Sequence, residues 1–251
     1  KDLKEKSPVK QDTIFRIYSM TKPITSVAAM MLVEDGQLKL DKPVADYIPE
    51  LRDMPVHGQK KRKSQRYNMT VRQLMNHTSG LTYGFFSNTP VDKMYQKTQP
   101  LYSQNNQIMI EKLAEIPLLY PPNQKWHYSI ATDVLGHLVE KVSKQTLGTF
   151  FKRRIFEPLE MKDTSFHINK EKLSRFSSSY NAKLGLVERY NKSYFQTKDR
   201  IQSGGGGLIS TSKDYLHFCQ MLFQKGIWNE KQLLKKSSIT EMTKNQLPNG
   251  V

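Results

Sequence analysis

The chain changes period at Ser19, and that switch constrains its fold more than any other stretch. Residues 12–18, DTIFRIY, alternate apolar and polar side chains as a short extended segment does. Residues 19–35, SMTKPITSVAAMMLVED, then carry apolar side chains at helical spacing, and Gly36 supplies a C-terminal stop. Pro23 is compatible with this helix because it falls in or near the first turn, where backbone N–H groups lack intrahelical partners. An extended segment that feeds directly into a long apolar helix makes a rigid corner, and Ser19 stands at it.

The remaining chain reads as one continuous unit, with no internal repeat and no low-complexity segment. DKPVADYIPEL looks like a loop with a short helical turn, and Thr70 is a plausible N-cap for VRQLMNH, which TSG ends. From Leu81 to about Asn123 the sequence is loop-rich, with one helix near 105–116. Residues 130–143 and 146–156 form two amphipathic helices joined at Lys144-Gln145. Four consecutive glycines, 204–207, precede a short apolar strand and a capped helix from about Thr211 to Gln224. Helix dominates and strands are few.

Ser19-Met20-Thr21-Lys22 places a serine at the start of the long helix and a lysine one turn later on the same face. The hydroxyl then meets both an amine and the positive end of the helix dipole, which favours developing negative charge. Spacing alone does not single this pair out, since a chain this rich in serine and lysine should contain roughly two such pairs by chance. Three occur: Ser7/Lys10, Ser19/Lys22 and Ser210/Lys213. Ser7 is followed by Pro8 in a polar lead-in with no apolar helix behind it. Ser210 follows the glycine run, where capping of the next helix is a sufficient explanation. Only Ser19 joins an extended segment to an apolar helix, although an ordinary N-cap would also account for a serine there.

FRIYSMTKPITSVAAMMLVEDGQLKLDKPVADYIPEL closely resembles the nucleophile segment of class C β-lactamases and family-eight carboxylesterases, within the β-lactamase and penicillin-binding-protein superfamily. NHTSGL at 76–81, WHYSIATDVLGHLVEKVS at 126–143, FEPLEMKDTSFHI at 156–168 and SGGGGLISTSKDYLHFCQML at 203–222 resemble further segments of that group in the same order. The resemblance implies that Ser19 is the nucleophile, Lys22 the base or its partner, and Tyr128 the second proton-shuttling group. Such a pair can share a proton and relay it from the serine to the leaving group. It also implies an α+β fold of the β-lactamase/transpeptidase type, an antiparallel sheet flanked by helices plus a helical lobe, with the site between them. Residues 1–251 are expected to form one such domain, mostly helical, lacking N-terminal strands and the C-terminal portion of the sheet.

Two departures from the pattern bear on the substrate. Many β-lactamases carry asparagine two places after the tyrosine, where it holds the substrate amide. Here that position is Ile130, with Ser129 between, and these two are the expected substrate-binding positions. The third motif, a Lys/His-Thr/Ser-Gly strand or a tryptophan-glycine variant after the tyrosine, is missing. His77-Thr78-Ser79-Gly80 imitates it but precedes Tyr128, and is assigned no catalytic role. The expected activity is a serine hydrolase working through an acyl-enzyme, carboxylesterase-like on small esters. β-Lactam or D-alanyl-peptide hydrolysis is the second reading, and a non-catalytic scaffold of the same fold the third.

Other classes fare worse. The net charge of +16 invites a nucleic-acid reading. Its one dense cluster, Lys60-Lys61-Arg62-Lys63 with Arg66, lies in a polar stretch without an aromatic platform, so a charged surface loop is expected. The glycine run lacks a following Gly-Lys-Ser/Thr, so tight backbone packing rather than a phosphate cradle is expected. The histidines show no metal-ligand spacing, so no metal or cofactor is expected, and the lack of G-x-S-x-G argues against an α/β-hydrolase. A mean hydropathy of −0.63 and the absence of a long apolar run predict no membrane span. The single cysteine, Cys219, excludes an internal disulfide and is expected to be a buried thiol, which leaves cytoplasm and periplasm both open. The expected partner is a small ester or lactam.

Overall fold

The computed structural model describes residues 1–59, 67–248 and 250. The basic cluster from Lys60 to Arg66 therefore lies outside the described residues. The chain enters through β1 (Phe15–Arg16) and turns at Tyr18, whose φ of 41° is left-handed. Tyr18–Met20 form a single 3-10 turn, and the helix proper, α1, runs Thr21–Glu34. Ser19 thus sits on the turn that feeds the helix rather than inside it. Gly36, at φ 71°, ends α1 as its sequence suggests.

Thr70 caps α2 (Val71–Met75) with a full capping box, its side chain accepting from Gln73 N–H while the Gln73 amide returns a bond to the cap. The loop-rich stretch holds two helices rather than the one expected. α3 (Pro90–Thr98) opens on a second capping box, from Thr89 and Asp92, and α4 (Asn106–Ala114) is capped by Asn105. α5 (Ala131–Ser143) ends at Lys144, which is left-handed at φ 56°. α6 (Leu147–Phe151) follows and widens into a π-helical turn over Lys152–Phe156.

The second half carries β2 (Ser179–Tyr180) and β3 (Leu186–Glu188), then β4 (Ile209–Ser210) directly after the glycines. α7 (Ser212–Phe223) is capped by Thr211, not by Ser210, whose hydroxyl is instead paired with Thr164 at 2.7 Å. The hairpin β5 (Ile227–Trp228) and β6 (Lys231–Gln232) leads to α8 (Lys236–Thr243). The three strand pairs are antiparallel, β1 with β4, β2 with β3 and β5 with β6, whereas the isolated bridges Ile14–Phe176 and Val56–Leu118 are parallel. Phe15 faces Ser210 and Arg16 faces Ile209, while Ser165 adds a further rung beside Ile209. The architecture is α+β, with helices dominating small antiparallel sheets.

α1 is buried nearly all round, from Ile24 through Val27, Ala28, Ala29 and Met30 to Leu32, and α5 packs along it. Each such large aliphatic side chain contributes about 1.5–3 kcal/mol when taken out of water. The result is a central helix fixed on several sides, which is what a turn at its N-terminus needs in order to hold position. A smaller cluster of Ile14, Ile168, Phe176, Phe195 and Ile209 clamps the β1–β4 pair.

One sequence expectation is reversed here: Cys219 is exposed. α7 turns Asp214, Phe218 and Met221 inward, and the step from Phe218 to Cys219 carries the thiol to the outer side. Leu216 and Phe223 share that outward side. Apolar residues run all round this helix, so their pattern could not say which ones face the core.

Candidate active site

Ser19, Lys22 and Tyr128 come together. The Tyr128 phenol donates to Ser19 Oγ at 2.7 Å, and Lys22 Nζ donates to the same oxygen at 3.2 Å. The ammonium also lies 4.6 Å from the centre of the Tyr128 ring, within cation–π range. Ser19 itself is exposed, while Lys22 and Tyr128 are half-buried. One solvent-facing hydroxyl between an amine and a phenol is a suitable arrangement for nucleophilic attack with proton transfer.

The corner carrying Ser19 is held from both directions. Ile17 N–H donates to Leu208 O at 3.1 Å, and Met20 O accepts from the Tyr215 hydroxyl at 3.0 Å. The glycine run is the second wall. Three side chains in the first turns of α1 tie it down: Lys22 to Gly205 O at 2.6 Å, Thr25 to Gly204 O at 2.7 Å, and Thr21 Oγ1 accepting from Leu208 N–H at 3.2 Å. A β-carbon on Gly204 would stand 2.7 Å from Thr132 O, and one on Gly205 only 2.3 Å from Asp133 Oδ2. The glycines are there so that backbone can lie against α1 and α5, which is the packing role their sequence suggests.

Behind the run sits Asp133, a residue the sequence did not single out. It is buried in the first turn of α5 and accepts from Ser203 Oγ, from Gly205 N–H at 3.1 Å and from the Tyr83 hydroxyl at 3.5 Å. Burial pushes its carboxyl above the ordinary value, against these donors and the nearby Lys22 charge, which favour the ionised form. Burial is also what drives the Tyr83 phenol far above its usual range, so Tyr83 stays neutral and donates.

The segment 76–82 packs around Tyr128 and its neighbours. His77 O accepts from His127 N–H at 2.9 Å, Thr78 O from Asn123 N–H at 2.8 Å, and the Thr82 hydroxyl contacts His127 Nε2 at 3.0 Å. The His77 ring packs on the Tyr128 ring at 4.8 Å, with Nδ1 3.4 Å from Ser129 Oγ. Burial, assisted by the charge of Lys22, lowers His77 to about 4, so it is a neutral ring beside the site. Ser129 and Ile130 are placed differently from the trio: both are buried. Ser129 Oγ accepts from Ala131 N–H at 3.3 Å, and Ile130 lines an apolar cavity of about 310 Å³ with Tyr83, Phe85 and Tyr95.

A family model described as Beta-lactamase matches residues 1–251. The chain belongs to the beta-lactamase family. Within it, the chain is 32% identical over 256 residues to Protein Rv1367c of Mycobacterium tuberculosis, covering 98% of this chain and 63% of that protein. It is 29% identical over 230 residues to esterase EstB of Burkholderia gladioli, covering 83% of this chain and 57% of EstB. The solved structure of EstCE1, a hydrolase with promiscuous acyltransferase activity, superposes with a TM-score of 0.79 at 24% identity, over 95% of this chain and 65% of that one. The fold is therefore the β-lactamase/penicillin-binding-protein fold, and relatives in this family include esterases and acyltransferases. The chain spans about three-fifths of the length of these curated relatives. Among the described residues no helix is long and apolar enough to cross a membrane, and no group of three or more His, Cys, Asp or Glu is placed to hold a metal ion.

Proposed function

We propose that this protein is a serine hydrolase that carries an acyl group on Ser19 and acts on small carboxylic esters in preference to β-lactams. The observation that carries the reading is the double donation to Ser19 Oγ from Tyr128 and Lys22. In the proposed reaction the Tyr128–Lys22 pair, holding one proton fewer than when both groups donate, takes the Ser19 proton as Ser19 Oγ bonds to the ester carbonyl carbon. The tetrahedral intermediate then expels the alkoxide, which leaves as the alcohol by taking that proton back. Water attacks the acyl-enzyme in the second half, giving up a proton to the same pair, and Ser19 is released with the acid as product.

Ester preference draws on Ile130. The position two residues past Tyr128 offers no side-chain amide and points into an apolar cavity. One missing hydrogen bond to a lactam's acylamino group is worth about 0.5–1.5 kcal/mol, or roughly tenfold in rate. An alkoxide also leaves more readily than an amine, so esters need less assistance. The similarity to esterase EstB supports the same choice.

Intact-mass measurement after treatment with a fluorophosphonate tests the nucleophile: wild type gains one adduct and Ser19→Ala gains none. Equal labelling of both proteins would remove Ser19 from the role. Turnover of p-nitrophenyl butyrate and nitrocefin by the intact protein then tests the substrate class, and a kcat/KM for nitrocefin far above that for the ester reverses the assignment.

A further inference from the structure

Phe85 is 64% exposed, Phe86 53% and Trp126 48%, so three large aromatic side chains are left partly in solvent. They come from two separate segments and converge on one ring. Tyr128 has Phe86 at 6.0 Å edge-on, Trp126 at 6.4 Å and Tyr83 at 5.5 Å between ring centres, while Phe85 stacks on Tyr83 at 5.0 Å and meets Phe86 at 4.6 Å. The phenol at the centre of this group is the one that bonds Ser19 Oγ. A molecule bonded to Ser19 therefore starts one phenol ring away from exposed aromatic side chains.

We infer that Phe85, Phe86 and Trp126 form a subsite for an uncharged aryl or bulky alkyl group of the ester, and so set substrate selectivity. This rests on the acyl-enzyme reading above and names the substrate class that reading leaves open. The occupant follows from position and charge. A group held here is covalently continuous with the carbonyl on Ser19, which a remote partner would not be. The wall is also uncharged: burial lowers both His77 and His127, so neither carries charge at neutral pH, and Asp133 is shut behind Tyr83. Of the neighbouring cations, Lys22 is occupied by Gly205 O and Ser19 Oγ, and Lys125 lies over the Tyr120 ring and donates to its hydroxyl at 3.2 Å. A neutral, flat or branched group gains aromatic contact there without paying to desolvate a charge.

The test uses the intact protein as wild type, Phe86→Ala and Trp126→Ala, with two substrate series. One varies the acyl side, p-nitrophenyl benzoate against p-nitrophenyl acetate, and the other varies the alcohol, benzyl acetate against ethyl acetate. In at least one series Phe86→Ala lowers the bulky-to-small ratio of kcat/KM by about tenfold, the scale of one lost aromatic contact. The loss falls mainly on KM, as expected for a group that binds ground and transition states alike. The series that responds tells whether the acyl or the alcohol portion occupies the wall. Ratios that stay flat in both series for both variants overturn the subsite. Ser19 labelling by a methyl fluorophosphonate on the same samples separates the two ideas. Absence of labelling in wild type defeats the acyl-enzyme, whereas normal labelling with flat ratios defeats the aromatic subsite alone.

Discussion

Lys22 Nζ is closer to the carbonyl oxygen of Gly205, at 2.6 Å, than to the hydroxyl of Ser19, at 3.2 Å. The ammonium is therefore held by the glycine turn and reaches the serine as its second contact. A long, freely rotating side chain becomes a fixed group, with its rotamer entropy already spent before substrate arrives. Gly205 N–H in turn donates to the buried Asp133, so one glycine residue links the lysine to the interior of α5.

Gly205→Ala is expected to disturb the site without unfolding the protein. The added methyl would lie 2.3 Å from Asp133 Oδ2, so the turn must shift and move the carbonyl that anchors Lys22. Small displacements of a catalytic group cost up to about a hundredfold. Acylation measured by stopped-flow should slow by at least about tenfold, while the thermal midpoint changes by only a few degrees.

Lys22→Ala and Tyr128→Phe should each slow acylation of Ser19 by roughly a hundredfold or more, the usual scale for losing a general acid–base. Because both groups donate to one oxygen, the double variant should lose much less than the product of the single losses. Pre-steady-state burst rates on all three variants check both statements.

Asp133→Asn should lower stability by about 1–3 kcal/mol, because an amide cannot accept from Ser203, Gly205 and Tyr83 together and one donor is left unpaired. As a positioning residue for Lys22 through Gly205, it should lower kcat while leaving KM nearly constant. Urea titration and steady-state kinetics on the same preparation separate the two effects.

His77 provides a pH signature. Its folded value near 4 lies below the 6.5 of an unconstrained imidazole, so between these limits the unfolded chain binds the extra proton. Stability therefore falls as pH is lowered from about 6.5 towards 4. His127, also lowered by burial, adds in the same direction. His77→Asn keeps a residue that tolerates the left-handed backbone at φ 59° and removes this titration. Urea midpoints measured across that range should fall less steeply for the variant than for wild type.

Much of this was legible before any coordinates. Thr70 and its box with Gln73 are local, so four residues of sequence are enough to see them, and the period change at Ser19 marked the corner within two residues. α3 is hard to see in the sequence, although Thr89-Pro90 followed by Asp92 is a helix start of the same kind. Its few apolar residues, among a polar majority, disguised the core-facing side formed by Val91 and Tyr95. Asp133 and His77 were invisible as site residues for a different reason. Their roles depend on partners far away along the chain, Ser203 and Gly205 for the first and Tyr128 for the second, and no spacing rule records such contacts. Ser129 and Ile130 are substrate-binding positions by resemblance, from the asparagine that many β-lactamases carry two places after the tyrosine, and both are buried at the start of α5.

The bond between Lys22 and Gly205 joins residues 183 positions apart. Closing so long a loop is slow compared with winding a helix, because its entropy must be spent before any contact rewards it. During synthesis Ser19 and Lys22 leave the ribosome well before the carbonyl that steadies the lysine, which follows 183 positions after it. Until then the serine is an ordinary alcohol. On the proposed reading of Ser19 as the nucleophile, folding itself works as an arming step.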